Sequence, residues 1–149
     1  MVIHSLSFFT EEFPNAEIIS FDNNRRQIRE FETQVVDVTG RKPRHMDVSN
    51  TDALSGILDR HQVELAFMSN IPDYLEPEIA EDTVGVLVEY EVPWIMASHM
   101  RNGSRQRGYK PEGLQSFVDT LREEGYKIKR ATDSSGRYDI SDYYLAILE

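Results

Sequence analysis

Short apolar runs alternate with amphipathic stretches along almost the whole chain, and this alternation limits the fold more than any other feature. AEIISF (16–21) reads as a strand, and NRRQIREFETQVV (24–36) after it sets Ile28, Phe31 and Val35 on one helical face. KPRHMDV (42–48) is a weaker strand. TDALSGILDRH (51–61) is a helix with Leu54, Ile57 and Leu58 inward, and Ser49 or Asn50 stands where its cap is needed. VELAFMS (63–69) is the clearest buried strand. It is followed by a helix, PEIAEDTVGVLVEYE (77–91), weakened by Gly85, and by a strand, VPWIMASHM (92–100). PEGLQSFVDTLREEG (111–125) has Pro at its first helical position and Gly at its close.

YKIKRATD (126–133) and DYYLAILE (142–149) come last, with only the turn SSGRYD between them, so they are expected to pair antiparallel. Strands separated by helices call for right-handed crossovers and a mostly parallel sheet. The expected class is therefore α/β, doubly wound, with helices on both faces and a C-terminal antiparallel hairpin. HSLSFFTEEF, ahead of the first strand, reads as one more helix. With no repeat, low-complexity segment or linker, the 149 residues are expected to form a single domain, 1–149.

Composition excludes several classes of function. Hydrophobic residues at 40% and charged residues at 28% describe an ordinary globular protein. No apolar run is long enough to cross a membrane, and the N-terminus lacks a basic region and cleavage site, so a cytoplasmic location is expected. The absence of cysteine rules out disulfides and thiolate metal sites, and the four histidines show no metal-ligand spacing. A net charge of −10 argues against a nucleic-acid partner, because phosphates need a basic surface. The acidic protein has 12 Arg against 4 Lys, which fits either a salt-rich cytoplasm or a GC-rich genome. RNGSRQRGYK (101–110) is a local basic exception, read either as a solvated loop or as a contact for an anionic substrate.

The polar residues that end the strands carry a further signal. Phe21-Asp22 closes the first strand with an acid, Met46-Asp47-Val48 closes the second with another, and Ser69-Asn70 closes the third with a polar turn. With the terminal hairpin, that order resembles the class I S-adenosylmethionine-dependent methyltransferases over roughly residues 16–149. FDNNRRQ and MSNIPDYL are most similar to the members that transfer the 3-amino-3-carboxypropyl group of the cofactor. Asn70-Ile71-Pro72-Asp73-Tyr74 also resembles the NPPY motif of amino-group methyltransferases, with an extra residue and no second Pro.

The resemblance implies S-adenosylmethionine as cofactor and a methyl or aminocarboxypropyl transfer. In an open parallel sheet, ligands sit beyond the carboxyl ends of the strands. Asp22 would accept from the ribose hydroxyls, with Asn23 beside it. Asp47 would accept from the adenine amino group, with Met46 and Val48 as apolar walls. Ser69 and Asn70 would face the reactive end, and Tyr74, His99 and Arg101 would meet the acceptor substrate. Each residue also has a plain structural reading. Asp22 and Asp47 suit helix caps, SNIPDY suits a turn, His99 suits a surface strand end, and Tyr138, Tyr143 and Tyr144 suit hairpin packing.

One part of the family pattern is missing. The first strand and glycine-rich loop, commonly acid-x-G-x-G, are not found: no glycine precedes the strand ending at Asp22. In the family's sheet order, 3-2-1-4-5-7-6, the missing strand is the central one. Its loss leaves open edges, which are aggregation hazards. Three arrangements are expected to resolve this: a chain beginning partway through a longer protein, direct pairing of AEIISF with VELAFMS, or a strand from a partner. A degenerate, self-associating domain with weak cofactor affinity, active or serving only as a binding or assembly module, is the expectation that follows.

Overall fold

The computed structural model describes residues 9–100, 108–133 and 141–149. They fall into two compact units, one ending at Ala53 and the other beginning at Leu54.

In the first unit, a helical stretch at residues 9–12 lies within the expected HSLSFFTEEF helix, whose earlier residues fall outside the described ones. β1 (Phe21–Asp22), α1 (Arg25–Thr39) and β2 (Arg44–His45) follow. Helix α1 starts where it does because the Asn24 side-chain oxygen accepts from the amides of Arg26 and Gln27, at 3.0 and 3.3 Å. It stops at Gly40, whose φ of 73° returns its N–H to the Val36 carbonyl at 2.8 Å. Ile28 and Val35 are buried as the periodicity requires, while Phe31 is only half-buried.

β1 and β2 pair in parallel, with Phe21 opposite Arg44 and Asp22 opposite His45. Both are far shorter than AEIISF and KPRHMDV led us to expect. Strand structure needs backbone groups paired along a neighbour, and among the described residues one short ladder supplies them, lengthened by Arg44 N–H to Ser20 O and Met46 N–H to Asp22 O.

α2 (Thr51–Arg60) begins just before the division between the units, and Leu54, Ile57 and Leu58 are its buried residues. Its cap is Asn50, whose oxygen accepts from the Ala53 amide at 3.1 Å. The second unit continues with β3 (Leu65–Ser69), a single 3-10 turn at Pro72–Tyr74, α3 (Pro77–Glu89), β4 (Trp94–Met100), α4 (Pro111–Glu123), β5 (Tyr126–Asp133) and β6 (Ser141–Leu148). Prolines 77 and 111 open α3 and α4, where the missing amide hydrogen costs nothing. The turn SSGRYD and residues 101–107 of the basic loop lie outside the described residues.

Four strands form one sheet in the order β3-β4-β6-β5. β3 and β4 run parallel, from Leu65 opposite Trp94 to Ser69 opposite Ser98. β6 lies antiparallel to both β4 and β5, as the missing helix between the last two strands demands. Because β6 inserts between β4 and β5, β4 is an interior strand, and Ile95 and Ala97 are almost fully buried with Ala146 opposite Ile95. Phe117, Leu121, Val84 and Leu87 supply the largest buried side chains of α3 and α4. Tyr126 is buried as well, and its hydroxyl donates to the Val92 carbonyl at 2.7 Å.

Direct pairing of the Asp22 strand with VELAFMS does not occur. Among the described residues β1 pairs with β2, β3 pairs with β4, and the strands form two separate sheets.

Candidate functional site

The first unit brings its two strand-end acids together. Asp22 and His45 are ladder partners, and the Met46 amide donates to the Asp22 carbonyl at 3.0 Å, so Asp47 follows immediately on the neighbouring strand end. Asp22 Oδ1 accepts from the Asn24 amide at 2.7 Å. Asp47 Oδ1 accepts from both the amide and the hydroxyl of Ser49, at 2.9 and 2.8 Å. Both acids thus shape the turn after their strand, and neither caps a helix; Asn24 and Asn50 do that. Asp47 is exposed, and Met46 and Val48 on either side of it are buried. Asn23 is exposed, with its carbonyl oxygen 3.1 Å from Nε2 of His45.

The second unit carries a different kind of site. Beyond β3 the chain turns sharply: Asn70 has a φ of 52°, in the left-handed region that costs a non-glycine residue energy. The Asn70 amide is held by the Ser98 carbonyl at 3.0 Å and the Ser98 hydroxyl at 3.3 Å, and that hydroxyl lies 3.4 Å from Ser69 Oγ. Pro72 then starts the 3-10 turn that carries Asp73 inward, leaving it 1% exposed. Asp73 Oδ2 is 3.0 Å from Nδ1 of His99 on β4, while Asp73 Oδ1 and Asn70 Oδ1 are buried with no hydrogen-bond partner among the described residues.

His99 was expected at a surface strand end, but it is 9% exposed. β4 is an interior strand, and the polar partner His99 needs there arrives from the turn after β3. The Tyr109 ring stacks on its imidazole with centroids 5.9 Å apart, and Tyr74 meets Tyr109 edge-on at 6.0 Å. Burial pushes the Tyr109 hydroxyl pKa up, helped by the negative charges of Asp73 and Glu112 and by Tyr144. Burial likewise raises that of Tyr74, followed by Asp73 and Tyr109. Both phenols therefore remain hydrogen-bond donors well into alkaline solution.

Two backbone contacts hold the turn in place. The Lys110 amide donates to the Asp73 carbonyl at 2.6 Å. Gly113, in the first turn of α4, packs so closely that an added Cβ would collide with the Leu75 carbonyl oxygen and lie 2.6 Å from that of Pro72.

Of the residues singled out in the sequence, Asp22, Asn23, Met46, Asp47 and Val48 gather in the first unit. Ser69, Asn70, Tyr74 and His99 gather in the second. Arg101 lies outside the described residues. Asp73 and Tyr109 were missed as site residues, because their contacts are made only when the Pro72–Tyr74 turn packs against β4 and the residues leading into α4. The one available signal was an acid directly after Pro72 beyond a buried strand. A groove of about 560 Å³ is lined by Glu81 of α3 and by Glu112, Ser116, Asp119 and Glu123 of α4.

No protein-family model and no curated protein sequence matches the chain. Solved structures do. The magnesium protoporphyrin IX methyltransferase ChlM from Synechocystis PCC 6803, with bound SAH, is similar over 99% of this chain and 70% of its own, with a TM-score of 0.66 and 13% identity. PigF with SAH is similar over 100% of this chain and 54% of its own, with a TM-score of 0.58 and 11% identity. The N-methyltransferase NodS from Bradyrhizobium japonicum WM9 matches over 97% of this chain and 81% of its own, with a TM-score of 0.58 and 10% identity. The chain thus spans from about half to about four-fifths of the length of these proteins. Their common fold is that of the class I S-adenosylmethionine-dependent methyltransferases, and this chain has it.

Proposed function

We propose that this chain, built on the class I methyltransferase fold, binds S-adenosylmethionine and serves methyl transfer to an acceptor. One observation carries the reading: two acids, Asp22 and Asp47, stand at the same end of adjacent parallel strands. They fit the nucleoside half of the cofactor. A carboxylate accepts from ribose hydroxyls at Asp22, another accepts from the adenine amino group at Asp47, and Met46 and Val48 supply the apolar wall. When bound, the cofactor supplies a methyl carbon on a sulfonium, already a good leaving group, and positioning by the protein gives most of the rate. Aminocarboxypropyl transfer draws on another carbon of the same sulfonium and is the lesser reading, since the similar structures are methyltransferases.

Calorimetric titration with S-adenosylhomocysteine tests this. Saturable binding is expected, weakened about tenfold or more by Asp22→Ala. Binding that stays unsaturated at millimolar ligand, or that is indifferent to Asp22→Ala, would favour the alternative, a methyltransferase-like binding or assembly module that has lost the cofactor.

Self-association belongs to the same proposal. In it, a strand from a second copy pairs with the sheet of the second unit, because strand edges favour pairing between chains. Light scattering is expected to report a dimer or larger; a monomer at all concentrations would remove this part.

A further inference from the structure

We propose that the half-exposed face of the β3-β4-β6-β5 sheet docks an amphipathic helix of another protein, one whose apolar stripe is flanked by carboxylates. The inference is independent of the cofactor reading above, and every residue it uses belongs to the second unit.

The strand register divides the side chains of this sheet between two faces. One face carries Met68, Ile95, Ala97 and Ala146, all buried. The other carries Leu65, Trp94 and Ile147 as ladder neighbours in one row, and Phe67, Met96 and Leu145 in the next. Trp94 is 49% exposed, and the other five are half-buried. A single exposed apolar side chain is ordinary. An indole in the middle of an apolar strip three strands wide is the kind of surface that a partner covers.

Width and charge select the occupant. Neighbouring strands lie about 4.8 Å apart, so three of them span about 10 Å, which is the breadth of one α-helix with its side chains. The fourth strand, β5, closes both rows with lysine: Lys127 stands opposite Ile147 and Lys129 opposite Leu145. Both are exposed, and they are two of the four lysines in a chain of net charge −10. Among the described residues Lys129 has no ion-pair partner, and Lys127 meets Glu149 at 3.5 Å with both side chains largely in solvent. Such a surface pair is weak, so a carboxylate from a partner can take its place.

A helix lying along β4 and β6, with its apolar stripe on Trp94 and Met96, sets the carboxylates of one flank over this lysine row. A second copy presenting the same face would bring the same lysines instead of carboxylates. An anionic membrane would attract the two lysines and repel the acidic remainder of the chain.

The test uses the full chain and two synthetic 18-residue helices. One has leucine along one stripe, glutamate on its flanks and alanine and glutamine elsewhere; the other has lysine in place of glutamate. Trp94 is the single tryptophan of the chain, so its fluorescence reports on this face alone. The acidic helix is expected to give a saturable blue shift, at a concentration at least tenfold lower than any shift from the basic helix. Lys127→Glu combined with Lys129→Glu is expected to reverse that preference. Trp94→Ser is expected to abolish capture of the labelled acidic helix, followed by anisotropy. No shift, equal shifts from both helices, an acidic preference that survives the double charge reversal, or capture that survives Trp94→Ser would each overturn the proposal. A blue shift of the chain alone that grows with its concentration would assign the face to a second copy. A stronger shift on phosphatidylserine vesicles would assign it to a membrane. Either result overturns the helix reading. The comparison of the two helices on the unmutated chain needs no variant to fold. Strand-edge association of copies would persist in Trp94→Ser, which separates it from this face.

Discussion

Acidic side chains at the two groups of strand ends are satisfied in opposite ways. In the first unit, Asp22 and Asp47 hold backbone amides two residues away, and Asp47 remains exposed. In the second, Asp73 reaches 26 residues along the sequence to His99, and both are buried. The first arrangement ties each acid to the turn that follows its strand and leaves Asp47 exposed and Asp22 half-buried. The second exists only once the sheet is assembled, and it keeps a carboxylate out of water with half of its hydrogen-bonding capacity unused.

The sharpest way to break this contrast is His99→Ala. Removing the partner leaves the Asp73 carboxylate buried and alone, and a loss of about 3–5 kcal/mol is expected in chemical denaturation. A double-mutant cycle with Asp73→Ala should recover a large part of it. If His99→Ala costs no more than an ordinary cap, the two regions do not differ as claimed. Next in size is Gly113→Ala. Because the colliding atoms are backbone carbonyls, not flexible side chains, about 1–3 kcal/mol is expected, together with altered His99 ring signals in NMR spectra. A tolerated alanine would mean that α4 does not hold the Pro72–Tyr74 turn. Smallest is Asn50→Ala, a local cap, expected to cost about 1 kcal/mol and to leave the His99 signals unmoved.

The same contrast explains how far the sequence could be read. Helices α1, α2 and α4 were legible because periodicity, caps and terminal prolines or glycines are local signals: Asn50, Pro111 and Gly125 do their work within a few residues. The final antiparallel pair was legible from the lack of a helix between its strands. The lengths of β1 and β2 were not, because apolar runs such as AEIISF extend only as far as a neighbouring strand pairs with them. Gly113 sits inside a helix marked out by its proline and closing glycine, and its packing against the Pro72–Leu75 backbone cannot be seen in spacing. His99 read as a surface residue because its burial depends on β6 inserting beside β4 and on Asp73 arriving from another element.

The central claim, that the paired ends of β1 and β2 receive the nucleoside, is tested most directly by amide NMR during titration with S-adenosylhomocysteine. The account predicts saturable shifts concentrated at Asp22–Asn24 and Met46–Val48, lost together in Asp22→Ala. Saturable shifts elsewhere with those residues unmoved would contradict it.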